Sequence, residues 1–538
     1  MIPVKPILLA LPFSWILGIL GLAFQLQERA SWLLPVAVLC VQIGCAIAAT
    51  IVNAPRGPLS TVYTLGLYSK VAACVIVLLG IALHLHDIRL SRYWTSEHLI
   101  AEDARWILAG NFINPFRNSG DFPTSFMSYI AAIGVALFED VRIGIRIIGV
   151  ISLLLFALLS WYTTAIITHR LSAAVLALPF LSLWLINLSN TADNNWLCVI
   201  PLHCAALFAI YSLLVIRGAT MWIPLFALLT AVAVWTLYMP AIYGVVIAFL
   251  FLLEPKVSRK ARISYLLWTI PYLLPLLGRI VSNPQLHFGR QMQFLGQAGE
   301  GKLNLPMIEG YLRTLGVMID LSIPSLGRMA SPDRRLLLEA PLLVFICIGC
   351  LAVIYAKWDR LLIRRLVVIL VAVTTGVVLS NPVESFWRTT VMIQPLFMFA
   401  NLGIVAVCTI STRPLVQMIL TGVVLITLTL GFWQSYQTYR ERLLLLRWSE
   451  PEGSTIQIYE QCQEALIRAP CIAPHKSVIG YLLRSLSRQR VFLEPDTPLP
   501  CGTVLVVNRG AECAESIDTV VCRVIDDSMN SRYTICHR

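Results

Sequence analysis

The chain has 538 residues, 58% of them hydrophobic and 13% charged, with a mean hydropathy of +0.77. A soluble protein of this length could not bury that much apolar surface, so lipid is the solvent for most of it. The net charge of +12 does not mark a nucleic-acid binder: no compact basic and aromatic surface accompanies it, and short basic loops alone make membrane proteins cationic.

At the N-terminus Lys5 precedes an apolar run from Ile7 to Phe24, as in a secretory signal. No small-residue cleavage site follows and a second apolar segment begins at once, so this run reads as an uncleaved first span. Runs of the roughly 17–23 apolar residues needed to cross a hydrocarbon core recur near 32–53, 67–87, 142–166, 171–188, 196–216, 219–237, 239–254, 263–281, 336–356, 363–381, 389–411 and 414–434. The pattern predicts an all-α polytopic membrane protein of about thirteen transmembrane helices, with large loops at 88–141 and 282–335. Basic residues divide the short loops into two sets. Arg56, Lys70, His169, Arg170, Arg217, Lys256, Arg259, Lys260, Arg262, Lys357, Arg360, Arg364, Arg365 and Arg413 share one side, which the positive-inside rule makes cytoplasmic. Met1 is then expected inside a bacterial inner membrane, with both large loops and the C-terminal tail in the periplasm.

Cysteine usage points the same way. Of 14 cysteines, Cys40, Cys45, Cys74, Cys198, Cys204, Cys347, Cys350 and Cys408 sit in apolar spans as small hydrophobes. Cys462, Cys471, Cys501, Cys513, Cys522 and Cys536 crowd into the polar tail. An even number there suggests disulfides, which need an oxidising compartment. In that tail 456–467 reads as an amphipathic helix, and 490–493, 503–507, 519–525 and 533–536 read as short strands. The expected division is a transmembrane domain over 1–435 and a small α/β disulfide-bearing domain over 436–538.

Chemistry concentrates in the first large loop, where Glu102-Asp103-Ala104-Arg105-Trp106 is followed by Gly110 and Gly120. Adjacent carboxylates just outside a membrane can act as a general base toward a hydroxyl or hold a divalent cation; solvated loop charges, or first-turn acids of a short helix, are the plainer alternatives. Asp193 lies in a very short polar turn, and Arg290, Arg328 and Arg388 are further cations on the same side. Arg388, beside Phe386 and Trp387, suits a lipid phosphate at the interface, or equally a snorkelling anchor. His203 lies inside a span, where an interhelical hydrogen bond is the commoner role.

Three stretches resemble the bacterial O-antigen, serotype-converting glucosyltransferases of the GT-C superfamily: Glu102 to Arg105 with its glycines, Phe180-Leu181 through Ser189 to Asp193, and the hinge Tyr238-Met239-Pro240-Ala241. That family's acidic pair is usually Asp-Asp with its arginine one position further on, and its hinge carries glutamine where Met239 stands. The resemblance implies a GT-C-like fold and an inverting hexosyltransferase. Its donor would be a polyprenyl-phosphate-linked sugar, glucose as in that family, and its acceptor a cell-envelope glycan such as O antigen. It also implies roles for residues: Asp103 as base, Glu102 as its partner or a cation ligand, and Arg105, Asp193, Arg290, Arg328 and Arg388 as substrate-binding groups. A lipid or glycan transporter, which should show internal repeats and ionisable groups deep in its spans, is the second reading, and an envelope glycan polymerase is the third.

Overall fold

The computed structural model describes residues 5–26, 33–53, 67–86, 88, 95–116, 126–138, 141–170, 172–182, 185, 196–235, 239–282, 340–356, 358–379, 390–449, 471–472, 504–508, 521–526 and 532–537. Its helices in chain order are α1 Lys5–Leu26, α2 Leu33–Asn53, α3 Leu67–His86, α4 Thr95–Leu108, α5 Phe126–Leu137, α6 Val141–Thr168, α7 Ala174–Phe180, α8 Trp196–Arg217, α9 Ile223–Trp235, α10 Met239–Leu253, α11 Arg259–Ser282, α12 Ala340–Tyr355, α13 Arg360–Leu379, α14 Ile393–Cys408 and α15 Pro414–Ser449. Among the described residues, six helices are long and apolar enough to cross a membrane, and shorter apolar helices accompany them. Every run read as a span carries a helix. Over 171–188, however, the described helix is only the seven residues of α7, too short to cross.

Two features of α11 explain how the bundle tolerates its sequence. Pro271 and Pro275 lack the amide hydrogens that would bond the carbonyls four residues earlier, at Leu267 and Pro271. Trp15 Nε1 of α1 donates to the Leu267 carbonyl at 3.0 Å, and Gln42 Nε2 of α2 donates to the Pro271 carbonyl at 2.8 Å. Side chains of two neighbouring helices thus replace both missing bonds where water is absent. Close approach does the rest. Gly18 packs on Pro271, and a Cβ there would lie 2.5 Å from that carbonyl oxygen. In α12 and α14, Gly349 and Gly403 each face the other's backbone, so neither tolerates a side chain without displacing a helix. Serines and threonines inside the spans return their hydroxyls to the carbonyl four residues back, as Thr164 does to Ser160 and Thr230 to Phe226. His203 meets the carbonyl of Leu229 across the α8–α9 interface at 2.8 Å, the interhelical bond expected of it.

The short basic loops gather at one end of the bundle. Arg170 Nη1 donates to the Thr409 carbonyl at 3.0 Å, Asp359 N to the Ile167 carbonyl at 3.1 Å, and Arg365 Nη2 to Glu254 Oε2 at 2.9 Å. Toward the opposite end Gln25 meets Asn114 and Arg146 meets Ile88. At 83% buried, the span of α14 runs through the centre, whereas that of α15, 17% buried, is peripheral. α15 starts at the basic end, passes Pro341 at Gly431, and runs on to Ser449 across the expected domain boundary. At 1.5 Å per residue its length is about 54 Å, more than a bilayer core requires.

The tail contains a four-stranded sheet, β1 Cys471–Ile472, β2 Val504–Asn508, β3 Val521–Asp526 and β4 Arg532–His537, in the order β1-β2-β4-β3. β1 pairs parallel with β2, and the other pairings are antiparallel. The last three strands fall on segments read as strands from sequence. The expected helix at 456–467 and strand at 490–493 lie outside the described residues.

Candidate active site

The first large loop is a small helical cap. Ile100, Ala101, Ala104 and Ile107 form one apolar stripe of α4, packed against Ala131, Ala132 and Val135 of α5 and Ile145 of α6. Gly134 and Gly144 let α5 and α6 touch backbone to backbone. α4 ends in a Schellman turn: Gly110 N–H bonds the Ile107 carbonyl and Asn111 N–H the Trp106 carbonyl, at 2.9 and 3.0 Å. This geometry needs φ +86° at position 110, hence glycine.

The chain leaving that turn is pinned twice. Asn114 and Gln25 exchange amide hydrogen bonds of 2.9 and 3.2 Å, and Asn114 Oδ1 also takes the Phe116 amide at 2.9 Å. Phe116 stacks edge-on against Trp235, ring centroids 5.4 Å apart. The Tyr129 hydroxyl of α5 accepts from Ile113 N at 3.0 Å and donates to the Ile113 carbonyl. Burial first, and then the negative charge of Asp103, push this phenol up to about 12 against the pull of its bond to Ile113, so it stays neutral at physiological pH.

Asp103 lies on the flank of the α4 stripe, partly exposed, and its Oδ2 accepts from Ser128 Oγ of α5 at 3.1 Å. Here the structure differs from the plainer sequence alternatives: Asp103 is neither a loop charge nor a first-turn acid, but the ninth residue of a 14-residue helix. Position 102 lies about 100° further round that helix, so the two acidic positions do not share a face. The side chain of Glu102 is outside the described set. Arg105 stands on α4 and is partly exposed. Asp193, Arg290, Arg328 and Arg388 lie outside the described residues. Among the described residues no three His, Cys, Asp or Glu side chains converge as a metal site would require, so a cation at Asp103 would need its other oxygen ligands from elsewhere.

Sequence reasoning missed three contributors. Ser128 and Tyr129 stand in an apolar run, 126–137, too short to cross a membrane, and that shortness is the signal of a helix packed against the bundle rather than spanning with it. Arg146, fully buried near the start of α6, donates to the Ile88 carbonyl at 2.6 Å and ties the cap's entry to the bundle. Its signal was a cation inside an apolar run, at the end away from the short basic loops.

No protein-family model matches the sequence, and no curated protein is significantly similar to it. Among solved structures, the chain is similar to ArnT from Cupriavidus metallidurans bound to undecaprenyl phosphate. The TM-score is 0.52 at 11% identity, over 86% of this chain and 97% of that one. The shared property is the fold, a polytopic helical frame.

Proposed function

We propose that this chain is a membrane glycosyltransferase that moves a hexose from a polyprenyl-phosphate carrier to a cell-envelope glycan, with Asp103 as its general base. The observation that carries the reading is Asp103 itself: a partly exposed carboxylate, oriented by Ser128, at the cap end of an ArnT-like frame. In the proposed step an acceptor hydroxyl attacks the anomeric carbon and gives its proton to Asp103 as the new C–O bond forms. The bond from that carbon to the lipid phosphate breaks, with inversion, and the phosphate leaves as an anion. That charge needs cations, and Arg105, Arg290, Arg328 and Arg388 are the proposed donors, with Asp193 holding sugar hydroxyls. Glu102 is assigned as partner to Asp103, or as a ligand if a divalent cation takes part. O antigen is the acceptor class we favour, and the transmembrane domain of 1–435 would carry the reaction.

The same reading places the basic end in the bacterial cytoplasm and the cap and tail in the periplasm. Reporter fusions after Pro255 should then report cytoplasm, and fusions at Gly453 periplasm. The activity test supplies purified protein in vesicles with a polyprenyl-phosphate sugar labelled in the sugar, plus acceptor glycan. The expected result is label in the glycan and free polyprenyl phosphate. Label that crosses the bilayer still attached to its lipid would instead make the chain a transporter.

A further inference from the structure

The basic end carries a second charged cluster. Glu254, fully buried just after α10, receives Arg365 Nη2 and Nε on one carboxylate oxygen at 2.9 and 3.2 Å. Its backbone carbonyl receives Arg262 Nη2 at 2.7 Å. One residue therefore ties the first turn of α11 to the second turn of α13. Both helices start in the ordinary way, Ser258 Oγ accepting the Ala261 amide and Asp359 Oδ1 the Leu362 amide. Neither has an acid in its first turn. Instead Lys256, Arg259, Lys260, Arg360 and Arg364 are exposed around the two positive helix ends. Among the described residues of 254–262 and 358–365 the only carboxylates are the buried Glu254 and the capping Asp359. Immediately inward the same helices turn apolar side chains outward: Leu253 of α10, Ile263 of α11 and Val367 of α13 are all exposed.

Topology alone accounts for cations in these loops. It does not account for one buried residue whose carboxylate fixes Arg365 and whose backbone carbonyl fixes Arg262. Cations over an exposed apolar face match the two parts of a phospholipid.

We propose that the basic ends of α11 and α13 bind the phosphate headgroup of an anionic phospholipid, whose acyl chains lie along the exposed faces of α10, α11 and α13. Arg259, Lys260, Arg360 and Arg364 are the phosphate ligands, and Arg365, held by Glu254, is a positioning residue. The site is separate from the cap and does not depend on which reaction the cap performs.

The test uses the full chain in phosphatidylcholine nanodiscs titrated with labelled phosphatidylglycerol. The double variant Arg259→Gln/Arg364→Gln should bind about tenfold more weakly or worse than wild type, given the usual effect of each basic residue near a lipid surface. Lys260→Gln/Arg360→Gln should repeat the loss and serves if the first variant does not fold. Arg217→Gln/Arg413→Gln removes equal charge from the same end and should bind as wild type does. Equal weakening by all three doubles would overturn the site in favour of diffuse surface charge. Saturation of the protein by inorganic phosphate, or equal binding of labelled phosphatidylcholine, would overturn the lipid assignment.

Discussion

The two ends of the molecule are held by different chemistry. At the basic end, charged groups do the fastening: Arg365 on Glu254, Arg262 on the Glu254 carbonyl and Arg170 on the Thr409 carbonyl. At the cap end the ties are mostly neutral, an amide pair between Gln25 and Asn114 and the Tyr129 phenol on Ile113, with Arg146 the charged exception. Loss of a fastening charge at the basic end should therefore damage the fold. At the cap, loss of a neutral tie should damage the fold mildly, and loss of the Asp103 charge should damage chemistry.

The largest expected effect tests the basic end. Arg365→Met leaves Glu254 buried without its ion partner, a change that typically costs about 3–5 kcal/mol. Thermal unfolding in detergent should show it plainly, and an unchanged midpoint would mean the pair contributes nothing. The tail comes next, because its oxidation reports which compartment the cap end faces. Cys522 and Cys536 are directly opposed in the β3–β4 register. Opposed antiparallel residues have Cα atoms about 4.5–5.5 Å apart, within the range a disulfide spans. Peptide mapping of non-reduced protein should find them joined, a bridge that contributes about 3 kcal/mol to the tail for a loop of this length. Free thiols at both positions in protein taken from native membranes would remove the oxidising-side assignment.

Tyr129→Phe should be milder, about 1–3 kcal/mol, since it leaves the Ile113 amide and carbonyl without partners. Because the folded phenol ionises near 12, above its usual 10, the stability it contributes is complete below pH 10 and is lost as pH rises toward 12. The Phe variant should lack that alkaline loss. Smallest in stability is Ser128→Ala, whose effect belongs to catalysis. Removing the hydroxyl from Asp103 should slow transfer about tenfold with an unchanged melting midpoint, and Ser128→Thr should restore part of the rate.

Helices and the grouping of loops were legible because hydrophobic length and basic residues are local properties of the chain. Asp103 and Glu102 were legible as an acidic pair, but not their separation on a helix, since the stripe Ile100, Ala104, Ile107 was overlooked inside a segment read as loop. The ties themselves were not legible. Gln42 reaches a carbonyl 229 residues away and Trp15 one 252 residues away. Pro271 and Pro275 announce two orphaned carbonyls, yet nothing local says which side chain will satisfy them. The fastening of Asn114 to Gln25 likewise joins two unremarkable amides across 89 residues.

The central claim is that Asp103 is the base, and one comparison tests it most directly: initial rates of sugar transfer by purified wild type and Asp103→Asn in vesicles, with melting midpoints measured alongside. Asn keeps the size and can still meet Ser128, but cannot take the hydroxyl proton, and loss of a positioned base lowers rates by about 10²–10⁴. The account predicts a fall of that size at an unchanged midpoint, with Glu102→Gln falling less. Transfer near the wild-type rate by a folded Asp103→Asn protein would contradict it.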